Sequence, residues 1–248
     1  MRLENKVAVV TGAASGFGEG IARLFAAEGA MVVIADLNEE EANRVADDIG
    51  KNALAVVVDV SKSADVERMV SAACDKWGGI DILVNNAGYS YSNRPMLEVT
   101  EEVFDRVFSV NVKSIYHGAQ AVIPQMRKRG AGVILNVAST GGVRPRPGLA
   151  WYNGSKGAVI TLTKSMAVEL APEKIRVVCI NPVAGETGML HLFMGEDTSE
   201  KREQFRSSIP LGRLSTPQDI AKSALFLCSD EAEFLTGVCL DVDGGRCI

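Results

Sequence analysis

Tyr152 and Lys156 stand four residues apart in the run Tyr152-Asn153-Gly154-Ser155-Lys156. On a helix that spacing puts a phenol and an ammonium on one face. A free phenol titrates near pH ~10 and is a poor base at neutrality. A nearby cation favours the phenolate, and a helix N-terminus adds to the effect. Bringing the phenol down to about 7–8 requires roughly 3–4 kcal/mol, much of which one close, partly desolvated ammonium can supply. The pair would then be a general acid/base for proton transfer at a carbonyl or carbinol oxygen. The same spacing occurs in surface pairs on ordinary helices, so context has to decide. Ser139 supplies it: it lies thirteen residues before Tyr152, just past an apolar run that reads as a strand. That is the carboxyl edge, where open α/β sheets bind ligands.

A second constellation lies near the start of the chain. Thr11-Gly12-Ala13-Ala14-Ser15-Gly16-Phe17-Gly18 falls between a strand-like and a helix-like segment. Glycines there let the backbone turn tightly and approach a pyrophosphate, and the helix N-terminus offers free N–H groups. Gly12, Ser15, Gly16, Phe17 and Gly18 are therefore candidate cofactor contacts. Asp36, eighteen residues past Gly18, ends the next strand-like run. A carboxylate there accepts hydrogen bonds from ribose hydroxyls and repels the extra phosphate of NADP. No Arg or Lys stands at Ala14, Ser15, Leu37 or Asn38 to reverse that preference, so NAD is the expected cofactor, with Leu37 beside it. The alternative is a capping or turn aspartate before Asn38.

Other chemistries are poorly served. The only histidines are His117 and His191, and the five cysteines are scattered without a CxxC pair. No metal site is expected, and reduced, packed thiols are expected rather than a disulfide framework. The net charge is −5 and there is no long basic run, which argues against nucleic acid or a polybasic membrane contact. The N-terminal segment lacks the apolar core of a signal peptide and no stretch is long enough to span a bilayer, so a cytoplasmic location is expected.

The elements that must position these groups are legible as alternating segments. Val7–Thr11, Met31–Ala35, Ala53–Val58, Ile82–Val84, Val133–Val137, Val177–Ile180 and Val238–Val242 read as strands. Most are continuous apolar runs, as in a parallel sheet covered on both faces. Ile21, Leu24 and Phe25 fall at helical spacing, and Gly29 closes that helix. The spacing predicts long helices over Glu101–Lys128, with Thr100 as N-cap, and over Gly154–Ala171. The rhythm predicts one α/β domain across 1–248, a doubly wound parallel seven-stranded sheet with helices on both faces, of Rossmann type. The least regular stretch, 185–209, is expected to cover the substrate.

Together these motifs resemble the short-chain dehydrogenase/reductase family from Lys6 to Gly245. The matching pieces are TGAASGFG, Asp36, Asp59-Val60, Asn85-Asn86-Ala87-Gly88, Asn111, Ser139, Tyr152-x-x-x-Lys156 and Pro182 to Thr187. The resemblance implies that Tyr152 is the acid/base and that Lys156 lowers its pKa and holds the nicotinamide ribose. It implies that Ser139 bonds the substrate oxygen and Asn111 holds a relay water. Asp59 and Val60 would contact adenine. Asn86, Ala87 and Gly88 would line the cleft, Pro182 and Gly185 would also contact the cofactor, and Thr187 would lie near the carboxamide. It also implies a homotetramer. The family often has Pro-Gly-x-Ile-x-Thr after the sixth strand, whereas this chain has Pro182-Val183-Ala184-Gly185-Glu186-Thr187, which alters the pocket wall. A narrower resemblance, in GVRPRPGLAWYNGSK, the GET run and GVCLDVDGGRCI, is to NAD-dependent 4-(hydroxymethyl)benzenesulfonate dehydrogenases.

The expected function is hydride transfer between NAD and a small alcohol or carbonyl compound. The alternatives are a 3-oxoacyl thioester reductase, for which Arg127-Lys128-Arg129 would dock an acidic carrier, and a nucleotide-sensing protein without turnover. Arg94, Arg144 and Arg146 are either anion clamps for a substrate or solvated loop charges. Leu149 and His191 are further candidates for substrate contact, and the apolar run around His191 also reads as a simple cover.

Overall fold

The computed structural model describes residues 1–195 and 198–248. Seven strands form one parallel sheet: β1 Val7–Thr11, β2 Met31–Asp36, β3 Ala53–Val57, β4 Ile82–Asn85, β5 Gly132–Val137, β6 Ile175–Pro182 and β7 Cys239–Val242. Their order is β3-β2-β1-β4-β5-β6-β7. The expected seven-stranded Rossmann-type sheet is borne out. Nine α-helices are described: α1 Gly16–Ala27, α2 Glu39–Ile49, α3 Ser63–Trp77, α4 Glu101–Phe108, α5 Ser114–Arg129, α6 Ala150–Leu170, α7 Leu190–Met194, α8 Ser199–Ser207 and α9 Pro217–Cys228.

The continuous apolar strands feed two cores, one on each face. Ala8 and Val10 of β1 pack with Ile21 and Phe25 of α1, Val45 of α2 and Ile220 of α9. Val7 and Val9 point the other way, against Met69 of α3, Met126 of α5 and Leu170 of α6. That alternation is the period-two geometry of a strand, here buried on both sides. Helix starts carry their own signals. Asn38 accepts a hydrogen bond from the Glu41 amide, and Thr216 with Asp219 forms a reciprocal capping box at α9.

Three differences from the expected elements bear on the site. The long helix from Glu101 is interrupted by a π-helical turn at Ser109–Lys113, which contains Asn111. Thr100 is the residue before α4, but its side chain caps no backbone amide. Helix α6 begins at Ala150 rather than Gly154, which puts Tyr152 in its first turn. The five cysteines are free thiols. Among the described residues no helix is long and apolar enough to cross a membrane, and no cluster of His, Cys, Asp and Glu is placed to hold a metal ion.

Candidate active site

Because every strand is parallel, all seven carboxyl ends lie at one edge. The strand order turns back on itself between β1 and β4, and such a switch point leaves a crevice. Residues that directly follow β1 to β6 open into a single cavity of about 400 Å³ there.

The first wall is the loop after β1. Gly12 and Gly16 have φ of 63° and 56°, in the left-handed region open to glycine. Gly12, Ser15, Gly16 and Phe17 line the cavity. Gly18 does not. A Cβ there would stand 2.0 Å from the Gly12 carbonyl oxygen, so Gly18 lets α1 seat directly on the loop. Asn86 holds the same loop from beneath, its Nδ2 donating to the carbonyls of Thr11 at 2.8 Å and Gly12 at 3.0 Å. Thr11 Oγ1 accepts from the amides of Asn86 and Ala87, both at 3.1 Å. Ala87 and Gly88 continue the wall.

Asp36 lines the cavity with Leu37, Asp59 and Val60. Its carboxylate accepts from the Ala14 and Asn38 amides, each at 3.0 Å, which fixes its orientation and leaves lone pairs for a ligand. Asp59 is turned partly inward, accepting from Ser61 N at 3.0 Å and Ser61 Oγ at 2.6 Å. One basic residue near this end was not picked out by sequence spacing. Arg44 of α2 reaches the Ala14 carbonyl at 3.3 Å, but Glu41 at 2.7 Å and Glu19 at 3.2 Å hold its guanidinium. The donor set therefore fits a dinucleotide: glycines where a pyrophosphate must approach, a fixed carboxylate for a ribose diol, and the nearby cation already neutralised.

The opposite wall carries the candidate acid/base. The Trp151 amide in the first turn of α6 donates to the buried Tyr91 hydroxyl at 3.2 Å, a tertiary cap with no local sequence signal. Tyr152 and Lys156 are buried, with 7% and 4% exposure. Ser139 Oγ accepts from the Gly141 amide at 3.0 Å and lines the cavity with Tyr152. Burial pushes the Tyr152 phenol up to about 12, and Ser139 pulls it back. Burial brings Lys156 down to about 8. Here the structure differs from the sequence expectation. Lys156 Nζ donates to the Val137 carbonyl at 2.8 Å and stands 5.9 Å from the Tyr152 ring centroid, so within the protein alone it does not hold the phenol below its ordinary value.

Asn111 is 2% exposed and its amide is committed. It accepts from Tyr89 N at 2.8 Å and donates to Tyr89 O at 2.9 Å and Ser155 Oγ at 3.0 Å. Asn111 itself is absent from the cavity wall, so the structure does not bring it to the lining with the other expected residues. Pro182 at the end of β6, and Gly185 and Thr187 after it, line the cavity. A Cβ on Gly185 would come within 2.4 Å of Phe17, so that glycine lets the two cofactor-side loops meet.

The candidate substrate residues separate. Arg146 and Leu149 line the cavity; Arg94, Arg144 and His191 do not. Arg94 Nε turns back to the Ser92 carbonyl at 3.1 Å, and Arg144 Nη1 is drawn to the Arg246 carbonyl at 2.7 Å. His191 is exposed on the outer side of α7, while Met189 and Phe193 of the same apolar run face inward. Phe193 lies 5.4 Å from the Tyr152 ring, a contact that the apolar pattern hinted at without naming the residue.

A family model described as enoyl-(acyl carrier protein) reductase matches residues 12–246. The chain belongs to the short-chain dehydrogenase/reductase family and is an oxidoreductase of that family. It is 54% identical to a 4-formylbenzenesulfonate dehydrogenase of Comamonas testosteroni, covering 99% of both chains. It is 40% identical to dehydrogenase/reductase SDR family member 4 of Sus scrofa, over 98% of this chain and 88% of that one. A crystal structure of a 3-ketoacyl-(acyl-carrier-protein) reductase from Brucella melitensis, complexed with NADH, is 54% identical and superposes with a TM-score of 0.95, over 99% of this chain and 100% of that one.

Proposed function

We propose that this protein is an NAD-dependent dehydrogenase that interconverts a small alcohol and its carbonyl compound, with Tyr152 as general acid/base. The observation that carries the reading is one cavity shared by Asp36 and the glycine loop at one end and Ser139, Tyr152 and Lys156 at the other. The loop from Gly12 to Phe17, together with Asp36, Leu37, Asp59 and Val60, would hold the adenosine and pyrophosphate. Asn86 to Gly88, Lys156, Pro182, Gly185 and Thr187 would hold the nicotinamide half. When bound, the nicotinamide takes up or supplies the hydride.

In oxidation Tyr152 takes the carbinol proton while Ser139 holds the oxygen; in reduction Tyr152 returns it. Lys156 offsets charge on the phenolate and fixes the ribose. Asn111 would hold the water that relays the proton, from behind the cavity wall. The cover formed by 185–209, of which residues 196 and 197 lie outside the described residues, excludes water from the reacting atoms. The substrate is a small molecule rather than a nucleic acid or membrane, and the working form is a cytoplasmic homotetramer.

The Brucella relative makes 3-oxoacyl thioester reduction the second reading. Against it, Arg127 is paired with Glu173 and Arg129 with Asp81, which neutralises most of the basic cluster suited to an acidic carrier. NADH formation across sulfonated and carboxylated benzyl alcohols, polyols and 3-hydroxyacyl thioesters separates these readings. Tyr152→Phe should lower kcat about 10²–10⁴-fold while NADH still binds. Near-normal kcat in that variant would end the proposed mechanism, and NADH binding without any turnover in the wild type would favour a sensor.

A further inference from the structure

Among the described residues Arg146 is the one arginine that lines the cavity. Its main chain is anchored beside the acid/base, its carbonyl accepting from Asn153 Nδ2 at 2.8 Å, and Asn153 directly follows Tyr152. Its guanidinium carbon lies 4.5 Å over the Phe205 ring, on α8 of the cover. Among the described residues no carboxylate acts on its guanidinium. Burial first, then Arg246, pull it below the usual arginine value; Cys247 opposes them and Arg144 adds a smaller lowering. Asp243, the acid of that C-terminal segment, is occupied by the amides of Gly245 and Cys247. Leu149, Phe193 and Met189 add apolar lining to the cavity that Arg146 and Tyr152 share.

A stacked, partly desolvated guanidinium with no counter-ion among the described residues is a poor element of stability and a strong anion receptor. We infer that Arg146 is a specificity-determining residue that binds an anionic group, a sulfonate or carboxylate, at the far end of an apolar substrate whose alcohol or aldehyde meets Tyr152. The inference rests on the reading of Ser139 and Tyr152 as the reacting end. It assigns the charged end to one residue and leaves Arg144 outside the contact.

Two measurements test it. In the first, benzenesulfonate, benzoate and neutral benzenesulfonamide are titrated into the enzyme–NADH complex by calorimetry, a readout independent of turnover. The wild type should bind at least one of the two anions tenfold or more tighter than the sulfonamide. The sulfonate and benzoate arms tell which anion the site favours. Arg146→Gln should erase the difference, and Arg146→Lys should restore part of it. Equal binding of anions and sulfonamide by the wild type overturns the inference, whatever the variants do. In the second, kcat/KM is compared for 4-(hydroxymethyl)benzenesulfonate, 4-(hydroxymethyl)benzoate and benzyl alcohol. Arg146→Gln should lower the value tenfold or more for the preferred anionic alcohol, mainly through KM, and change benzyl alcohol less than threefold. An equal loss on all three overturns the inference while leaving the dehydrogenase reading intact. Anion binding without oxidation of any of the three keeps Arg146 as an anion receptor and overturns its assignment to the far end of an aromatic alcohol, while the wider panel of alcohols tests the dehydrogenase reading.

Discussion

At Tyr152 burial and hydrogen bonding oppose each other, and burial wins: the phenol rises to about 12. A raised folded pKa keeps the neutral form at every pH below ~10 and costs stability only as pH climbs beyond it. Lys156 behaves differently. Its value falls to about 8, so the stability linked to it is full above its ordinary ~10.5 and is lost as pH falls through about 8. The protein without cofactor should therefore show Tyr152 ionising above 10, read as the difference in phenolate absorbance between wild type and Tyr152→Phe. A midpoint below 10 would mean that Lys156 acts on the phenol despite its bond to Val137. Alcohol oxidation should rise with pH, because only the phenolate accepts a proton, and carbonyl reduction should fall over the same range. That Asp36, Ser139, Tyr152 and Lys156 line one cavity was legible because the proposed chemistry restricts their types: few groups besides a carboxylate could read a ribose diol, and few besides a phenol with an ammonium could serve a carbinol. Arg94, Arg144 and Arg146 were not separable in sequence. Which loop arginine turns inward depends on a carbonyl at Ser92, another at Arg246 and a ring at Phe205, and all but Ser92 lie far away along the chain.

Among the elements, the strands were the most legible, because burial on both faces writes a continuous apolar run. Strand β6 still extends further than its run of Val177–Ile180, to Ile175 and Pro182, where its pairing with β5 and β7 continues. The π-helical turn was invisible, since it is held by tertiary bonds from Asn111 to Tyr89 and Ser155 rather than by local preference. The start of α6 was misplaced for the same reason: its cap comes from Tyr91, sixty residues away. The junction of β1 and α1 makes a sharp prediction. Gly18→Ala places a methyl group within 2.0 Å of the Gly12 carbonyl oxygen, and backbone cannot yield as a side chain would. The variant should lose about 1–3 kcal/mol or more by denaturant unfolding and bind NADH weakly, because the loop must move. Unchanged NADH affinity would show that the loop is not held in place by that contact.

On the scale of the whole molecule, several large apolar side chains are left at the surface. Phe234 is 99% exposed and Val168 80%, and Tyr116 and Leu240 also reach solvent on α5 and β7. Covering such faces by two-fold contacts would give a D2 assembly. Light scattering at micromolar concentration should return four times the 26.4 kDa chain mass, and a monomer would refute the homotetramer. The reversal of strand order has a separate consequence, for heat resistance. The sheet is two halves, β1 to β3 and β4 to β7, joined in the sheet only where β1 pairs with β4. A dinucleotide lying along the crevice touches both halves, so its binding energy opposes their separation. NADH at a hundred times its dissociation constant adds about 2.7 kcal/mol, enough to raise the melting temperature by about 5–10 °C in a chain of this size. NADPH at the same concentration should raise it far less, and Asp36→Ala should bring the two closer together, so that a melting curve reports the cofactor preference before any substrate is known.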